Sequence, residues 1–154
     1  MTELTPEIVE LEPQEVFAVR GDVAIADLPE FFERAFREAA EAAAASGVQI
    51  VGPPVGFYPG MPAETVVVEA GFPVSAPPEA HGNAHRVVLP GGRAVQVVHV
   101  GPYGAMEKTY GLLQSWMAER GLRPAVGMWE CYLSDPQVER DPATWRTKIV
   151  WPLA

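Results

Sequence analysis

The sequence predicts an α+β domain in which two pseudo-symmetric repeats, each a strand, a helix and two strands, form one antiparallel sheet with two helices packed on one face. Three observations predict this fold: an amphipathic helix pattern in each half, β-branched segments around each helix, and residues that recur at a fixed spacing. With 154 residues, 48% of them hydrophobic, the chain can bury one core as a single domain, 1–154. The repeats cover about 5–74 and 84–154, joined by a linker that contains proline and glycine.

The first helix is predicted over residues 28–46. Asp27 and Glu30 have the D-x-x-E spacing of a capping box, and an alanine-rich stretch follows them. Gly47 can adopt the left-handed backbone conformation that ends a helix. The face that repeats at helical spacing is apolar and consists of Leu28, Phe31, Phe32, Ala35, Phe36 and Ala39.

The second helix is predicted over residues 105–120, and Gly121 supplies its stop. Its apolar positions recur at steps of four, three and four residues, at Met106, Tyr110, Leu113 and Met117. Each half therefore has one amphipathic helix.

Strands are predicted on both sides of each helix, where β-branched and aromatic residues dominate. The predicted segments are 8–11, 16–19, 55–58 and 65–72 in the first half, and 86–89, 94–100, 127–133 and 147–151 in the second.

The two halves are related by an offset of 74 residues. This offset relates Gly47 to Gly121, Phe36 to Tyr110, Tyr58 to Tyr132, and Pro62 to Pro136. At the end of each half the offset becomes 79, so the second half has five more residues in its last hairpin loop. Two copies are too few for a solenoid, and we expect them to share one sheet, with a ligand-sized groove along the seam between the helices.

Composition and charge exclude several classes of function. The net charge of −9 has the wrong sign for a surface that neutralises phosphates, so we expect no direct nucleic-acid binding. The N-terminus lacks the features of a signal peptide and no apolar run is long enough to cross a bilayer, which together with the lone Cys131 predicts a cytoplasmic protein without membrane contact. The histidines are not at zinc spacing, and no phosphate-binding or dinucleotide motif is complete, so we expect neither a metal nor a cofactor.

Glu130 breaks the symmetry of the repeat, because the matching position in the first half is Gly56. Strand alternation places Glu130 and Tyr132 on one face and Trp129 and Cys131 on the other. A carboxylate inside an apolar strand needs a partner. It either hydrogen-bonds to a tyrosine or faces water, or it pairs with a ligand cation, or it acts as a general acid or base with a raised pKa.

Aromatic residues are concentrated in the second half, and aromatic faces attract cations and planar rings. Tyr58, Tyr110 and Tyr132 are the better ligand-binding candidates, because a dry core would have to satisfy each hydroxyl. At Trp116 a core role is the simpler interpretation, although Trp116, Trp129 and Trp145 are also candidates for ligand binding.

The segment 89–121, LPGGRAVQVVHVGPYGAMEKTYGLLQSWMAERG, followed by GMWECYLSDP at 127–136, resembles the GyrI-like (gyrase-inhibitor-like, or AraC-type effector-binding) small-molecule domains. The likeness covers both repeats. Its most specific elements are the turn that ends in Gly101, Pro102 and Tyr103, the pair Leu113 and Trp116, and the strand end with Glu130, Tyr132, Asp135 and Pro136.

This resemblance implies an antiparallel sheet that backs two helices, and an aromatic cleft whose acidic residue is Glu130. It implies a binding protein for flat, apolar, often cationic small molecules of the multidrug type. In some members the domain is fused to a DNA-binding module, which we do not find in this sequence, so we do not expect a direct regulator.

Two other roles remain open at this stage. Some family members are hydrolases that open reactive cyclopropane-containing toxins with the cleft glutamate, and Trp129 and Tyr132 beside Glu130 are compatible with that chemistry, so enzyme activity is undecided. Alternatively, the chain binds a protein partner such as gyrase and no small ligand.

Overall fold

The computed structural model describes residues 5–60, 64–134 and 138–154; Pro62, Asp135 and Pro136 lie outside these ranges. It has eight strands and two α-helices: β1 (Glu7–Leu11), β2 (Gln14–Ala24), α1 (Leu28–Ser46), β3 (Val55–Tyr58), β4 (Thr65–Pro73), β5 (Ala84–Leu89), β6 (Gly92–Val100), α2 (Met106–Glu119), β7 (Met128–Tyr132) and β8 (Arg146–Pro152). A short 3-10 turn precedes each helix, at Ile25–Asp27 and Tyr103–Ala105, and a third, Pro142–Thr144, precedes β8. The α+β class and the two helices are confirmed.

All eight strands form one antiparallel sheet in the order β1-β6-β8-β7-β3-β4-β2-β5. The middle of this order is the pair β7 and β3, one strand from each half, which pair antiparallel. At the two ends the halves exchange strands, because β1 of the first half pairs with β6 of the second, and β5 of the second half pairs with β2 of the first. The repeats are therefore joined at the centre and at both edges of the sheet.

The sheet curls until its two ends meet. In a flat sheet β5 and β6, six places apart in the order, would be separated by about 29 Å. Only residues 90 and 91 join them, and a linker of this length spans at most about 11 Å. A Cβ atom on Gly91 would lie 2.8 Å from the carbonyl oxygen of Leu11, so the linker between β5 and β6 touches the end of β1.

Both faces of the sheet are buried by different means. On one face α1 packs on β2 and β4, and α2 packs on β6. The opposite face packs against itself as the sheet curls, and its buried residues come from both halves: Val16, Ala18, Val55, Leu89, Ala94, Trp129, Cys131 and Val150. Because the helices lie over the outer strands, the central pair β3 and β7 forms the floor between them.

The ends of α1 are determined by its flanking turns. Gly47 follows the helix with φ of 73°, as predicted. The predicted capping box is wrong, because Asp27 makes no side-chain capping bond. The preceding 3-10 turn places Asp27 at φ −94° and ψ −1°, whereas a capping side chain needs the extended backbone that aims it back at the first turn.

The offset of 74 residues correctly relates the two halves from the end of each helix through β3 and β7. For the beginnings of the two helices the predicted offset is wrong. The helix α1 has 19 residues and α2 has 14, and their first residues, Leu28 and Met106, are 78 apart. Tyr110 therefore occupies the place of Phe32, one helical turn before Phe36. Beyond the hairpin loops the offset is 79, since Val68 pairs with Gly21 as Thr147 pairs with His99.

Within the described ranges, neither helix has the length and apolar character needed to cross a membrane.

Candidate functional site

The floor of the site lies where the two halves of the sheet meet. Gly56 on β3 lies directly opposite Glu130 on β7. Since the offset of 74 relates these same two residues, the pseudo-two-fold axis passes between them. Tyr58 and Tyr132 lie two residues further along their strands and therefore share the helix-facing side of the sheet with Glu130. A position on the axis thus carries a carboxylate in one half and no side chain in the other.

Three tyrosine hydroxyls surround the Glu130 carboxyl group. The Tyr132 hydroxyl donates to Oε1 at 2.8 Å, and the Tyr110 hydroxyl, from α2, donates to Oε2. The Tyr58 hydroxyl interacts with both Glu130 and Tyr132. The Glu130 residue is only 8% exposed. We call Glu130, Tyr58, Tyr110 and Tyr132 the Glu130 cluster.

The electrostatics of the cluster are those of a carboxyl group held away from water. Burial raises the pKa of Glu130 above its ordinary value, and the hydrogen bonds from Tyr110, Tyr132 and Tyr58 oppose that rise. Burial, together with the nearby carboxylate, also raises the pKa of each of these tyrosines, so their hydroxyls stay protonated and donate. Among the residues that the structure describes, no lysine or arginine forms an ion pair with Glu130.

Rings from both halves form the walls around the cluster. The rings of Phe32 and Phe36, from α1, lie edge-on to Tyr132, with centroids 5.7 and 6.1 Å away. On the other side, Tyr103 lies 6.0 Å from Tyr132 in a similar edge-on arrangement, and the ring of Trp145 lies 5.0 Å from Tyr103. Tyr103 is 41% exposed, so this pair of rings lies at the solvent side of the site.

Gly56 provides the room that this arrangement needs. A Cβ atom at position 56 would lie 2.7 Å from the hydroxyl oxygen of Tyr132 and 3.2 Å from a ring carbon of Phe32. These distances are shorter than ordinary van der Waals contacts, so even alanine would push one of the two rings away. Glycine here allows close approach of side chains, and its backbone angles are not in the left-handed region.

The longer loop of the second half brings Trp145 to the site. Thirteen residues, 133–145, separate β7 from β8, whereas six residues, 59–64, separate β3 from β4. The loop ends in the 3-10 turn Pro142–Thr144, and the Trp145 indole donates to the carbonyl oxygen of Glu139 at 2.5 Å. This asymmetry adds an aromatic residue at the solvent side of one half only.

Two of the predicted ligand-binding tryptophans lie elsewhere. Trp129 belongs to the self-packed face of the sheet, where its ring centroid lies 6.3 Å from that of Phe57, so the sheet separates it from Glu130. Strand alternation predicts this face for Trp129, because neighbouring residues of a strand point to opposite faces of the sheet. Trp129 is therefore next to Glu130 in sequence but does not share its face. Trp116 packs against the apolar cluster under α2, with the Arg120 guanidinium 4.0 Å above its ring.

Sequence reasoning missed three residues around the cluster. Phe32 and Phe36 lie at apolar positions that recur at helical spacing in α1, and this pattern assigns them to the core. The pattern does not predict their contact with Tyr132. Tyr103 lies in the short turn after β6, where no periodicity applies. For Phe32, a usable signal was Gly56, because a missing side chain in a buried strand indicates that another side chain takes its place.

Concave surface also occurs away from Glu130. One depression of about 550 Å³ lies along the start of α1 and includes Asp27, Phe31 and Arg34. A second, of about 300 Å³, is lined by β1, β6 and Arg146. Around Glu130, the rings of Phe32, Phe36 and Tyr103 contact the ring of Tyr132, so aromatic rings lie on both sides of this tyrosine.

Comparisons with known proteins agree with this fold. Comparison with curated protein sequences finds no match. The structure superposes on the C-terminal domain of EcmrR with a TM-score of 0.84 and 21% identity, over 99% of both chains. On the EcmrR chain in its complex with DNA, the TM-score is 0.82 at 23% identity, covering 97% of this chain and 57% of that one. The chain thus spans little more than half the length of EcmrR in that complex.

Two more distant structures share the fold. A hydrolase from Listeria innocua superposes with a TM-score of 0.65 and 16% identity, over 97% of this chain and 91% of that one. SAV2435, solved with tetraphenylphosphonium bound, gives 0.58 and 9%, over 97% and 95%. At these identities the likeness shows a common fold. The sequence itself matches the GyrI-like family over residues 4–154, nearly its whole length, and the chain therefore belongs to the GyrI-like small molecule binding domains.

Proposed function

We propose that the protein binds flat, apolar, often cationic small molecules between α1 and α2, with Glu130 as the anionic contact. One observation carries this proposal: the carboxyl group is buried among aromatic rings, and its partners within the described residues are tyrosine hydroxyls and not a basic side chain. Among the described residues no lysine or arginine pairs with this carboxyl group, and a site of this kind is complementary to a cation.

The energetics favour a ligand that brings a positive charge. Burial raises the pKa of Glu130, so the ligand-free site holds its charged form at a disadvantage. A cation near the carboxylate restores the missing partner, and the surrounding rings attract the same charge through their faces. Neutral planar molecules gain only the apolar and stacking part of this interaction.

One structure of the same fold supports an aromatic cation as the ligand. SAV2435 was solved with tetraphenylphosphonium, a bulky aromatic cation, and it shares the fold of this chain. Tetraphenylphosphonium is therefore a reasonable first probe. Entry would proceed beside Tyr103 and Trp145, the rings at the solvent side of the cluster.

The test is a fluorescence titration of the wild type and Glu130→Gln with tetraphenylphosphonium, planar cationic dyes and neutral molecules of matched shape. We expect Glu130→Gln to weaken the cations at least about tenfold, which corresponds to 1.4 kcal/mol, and to leave the neutral molecules nearly unchanged. Glu41→Gln, at an exposed position of α1, is the matched control, because it removes the same charge far from the cluster. Equal losses for cations and neutral molecules would contradict the charge-pairing role.

A hydrolase that opens reactive cyclopropane-containing toxins is the second candidate. A carboxyl group with a raised pKa among hydroxyl groups can move a proton to or from water, and one structure of the same fold is named a hydrolase. Product analysis by mass spectrometry tests this candidate. If Glu130 is the general acid or base, Glu130→Gln abolishes turnover while ligand still binds, and retained turnover in that variant excludes the mechanism.

If neither a cation nor a reactive substrate binds, the close contacts of the rings around Glu130 favour the third role, a domain that binds a protein partner.

A further inference from the structure

A second break of the internal symmetry lies under the beginning of α2. In the first half, the ring of Phe31 covers Gly21 so closely that a Cβ atom there would clash with it, and Val68 pairs with Gly21 on the neighbouring strand. The corresponding residues of the second half, at offsets of 78 and 79, are all polar: His99, Thr109 and Thr147. An apolar contact between helix and sheet is thus replaced by a buried polar one.

His99 makes two hydrogen bonds from this buried position. It is 4% exposed, its Nδ1 lies 2.6 Å from the Thr109 hydroxyl oxygen, and its Nε2 lies 3.0 Å from the carbonyl oxygen of Pro102. A carbonyl oxygen can only accept, so Nε2 carries the proton. In the neutral ring Nδ1 then accepts from the Thr109 hydroxyl. One side chain on β6 is in this way bonded both to α2 and to the turn before it.

Both partners of His99 precede a residue of the site. Thr109 is followed by Tyr110, which donates to Glu130, and Pro102 is followed by Tyr103, which lies against Tyr132. The polar row continues across the sheet, since Thr147 lies opposite His99 on one side and opposite Tyr132 on the other. His99 therefore contacts the two backbone segments that carry Tyr110, a member of the Glu130 cluster, and Tyr103, a ring of its wall.

We infer that His99 is a positioning residue, whose bonds to Thr109 and Pro102 hold Tyr110 on Glu130 and Tyr103 against Tyr132. This inference rests on the proposed function of the same site. At the beginning of α1 the contact with the sheet is apolar, between Phe31 and Gly21, whereas at the beginning of α2 directional bonds from His99 are added to the apolar packing of the helix. The Thr147 hydroxyl is fully buried and has no hydrogen-bond partner within the described residues. The set of His99, Thr109 and Thr147 is therefore not a fully satisfied structural network.

The first experiment needs no ligand. Protein labelled with ¹³C at tyrosine Cζ gives one NMR signal per tyrosine, and that signal reports the bonding of the hydroxyl. We expect Thr109→Val, which keeps the shape and removes the hydroxyl, to move the Tyr110 signal toward its position in Glu130→Gln. The Tyr58 signal stays in place, and Thr109→Ser leaves Tyr110 as in the wild type. If Thr109→Val fails to fold, His99→Gln is used, with the same expectation.

The second experiment uses tetraphenylphosphonium. Thr109→Val should weaken its binding about three- to tenfold, the effect of one hydrogen bond, and Thr109→Ser should restore it. In a Tyr110→Phe background Thr109→Val should weaken binding no further, because its effect passes through the Tyr110 hydroxyl.

The outcomes separate the two proposals. An unmoved Tyr110 signal in Thr109→Val, or losses that add in the double variant, overturns the role of His99 while the binding function stands. If the wild type binds neither tetraphenylphosphonium nor the planar cationic dyes, the proposed function is overturned, and the NMR signal still decides whether His99 positions Tyr110.

Discussion

Gly56→Ala is the substitution for which the structure makes the sharpest prediction. The added Cβ atom would lie 2.7 Å from the Tyr132 hydroxyl oxygen, whereas ordinary contact begins at 3.4 Å. The hydroxyl must therefore move by about 0.7 Å, because atoms this close repel steeply. That displacement takes it off Glu130, to which it donates at 2.8 Å.

The magnitude follows from the bond that is lost. A hydrogen bond to a charged acceptor contributes about 1.5–3 kcal/mol, and alanine returns about 0.5 kcal/mol by restricting the unfolded chain. Gly56→Ala should thus lower the free energy of unfolding by about 2 kcal/mol. With Tyr132→Phe in place the hydroxyl is gone, and the next contact, Phe32 at 3.2 Å, requires a much smaller shift. There no bond is left to lose, so the substitution should cost about 2 kcal/mol less.

The assay is urea unfolding, followed by circular dichroism, of the wild type, both single variants and the double variant. The four values form a double-mutant cycle, and the coupling of about 2 kcal/mol measures the contact between position 56 and the Tyr132 hydroxyl. Equal costs of Gly56→Ala in the two backgrounds would refute the assignment of Gly56 as the space that the hydroxyl occupies.

Two further predictions concern stability. The folded protein holds the Glu130 proton more tightly than the unfolded chain, so the wild type should lose stability as the pH rises from the ordinary pKa of 4.5 to the raised folded value. Glu130→Gln lacks this loss, so its free energy of unfolding should rise relative to that of the wild type over the same pH interval. A difference that is independent of pH would contradict the burial of the charge. Gly111→Ala, inside α2 with open space around it, should stabilise the protein by about 0.5–1 kcal/mol in the same urea assay, whereas Gly21→Ala should destabilise it because its Cβ meets Phe31; a loss of stability in Gly111→Ala would show that a side chain there is not tolerated.

Local patterns were sufficient to predict most elements. The bounds of α1 coincide with the prediction, since an alanine-rich stretch and a glycine stop are signals within the helix itself. The strand 55–58 also coincides, and alternation placed Glu130 and Tyr132 on one face, where the structure has them. The role of these residues in binding a ligand stays a prediction.

Long-range pairing was outside the reach of these patterns. A strand such as β1 has the same alternation of apolar and polar residues whether it pairs within its own half or with β6. Its pairing with a strand of the other half could therefore not be predicted from the sequence. The extra turn of α1 was hidden for a similar reason. A shift of four residues keeps the same helix face, so Tyr110 matched Phe36 as well as it matches Phe32. The Asp27 capping box failed because the preceding turn, and not the spacing, decides the backbone angles.

The exchanged edge strands have a consequence for how the chain assembles. β1 pairs with β6, where Glu7 lies opposite Gln96, so its contacts are among the most distant in sequence and are expected to form late in folding. During synthesis, β1 exists before its neighbour does. If the chain were cut in the linker 75–83, each fragment would contain the edge strand that the other needs. The halves would then complement each other by two strand pairings and by the β3–β7 pair, and neither would have a complete sheet alone.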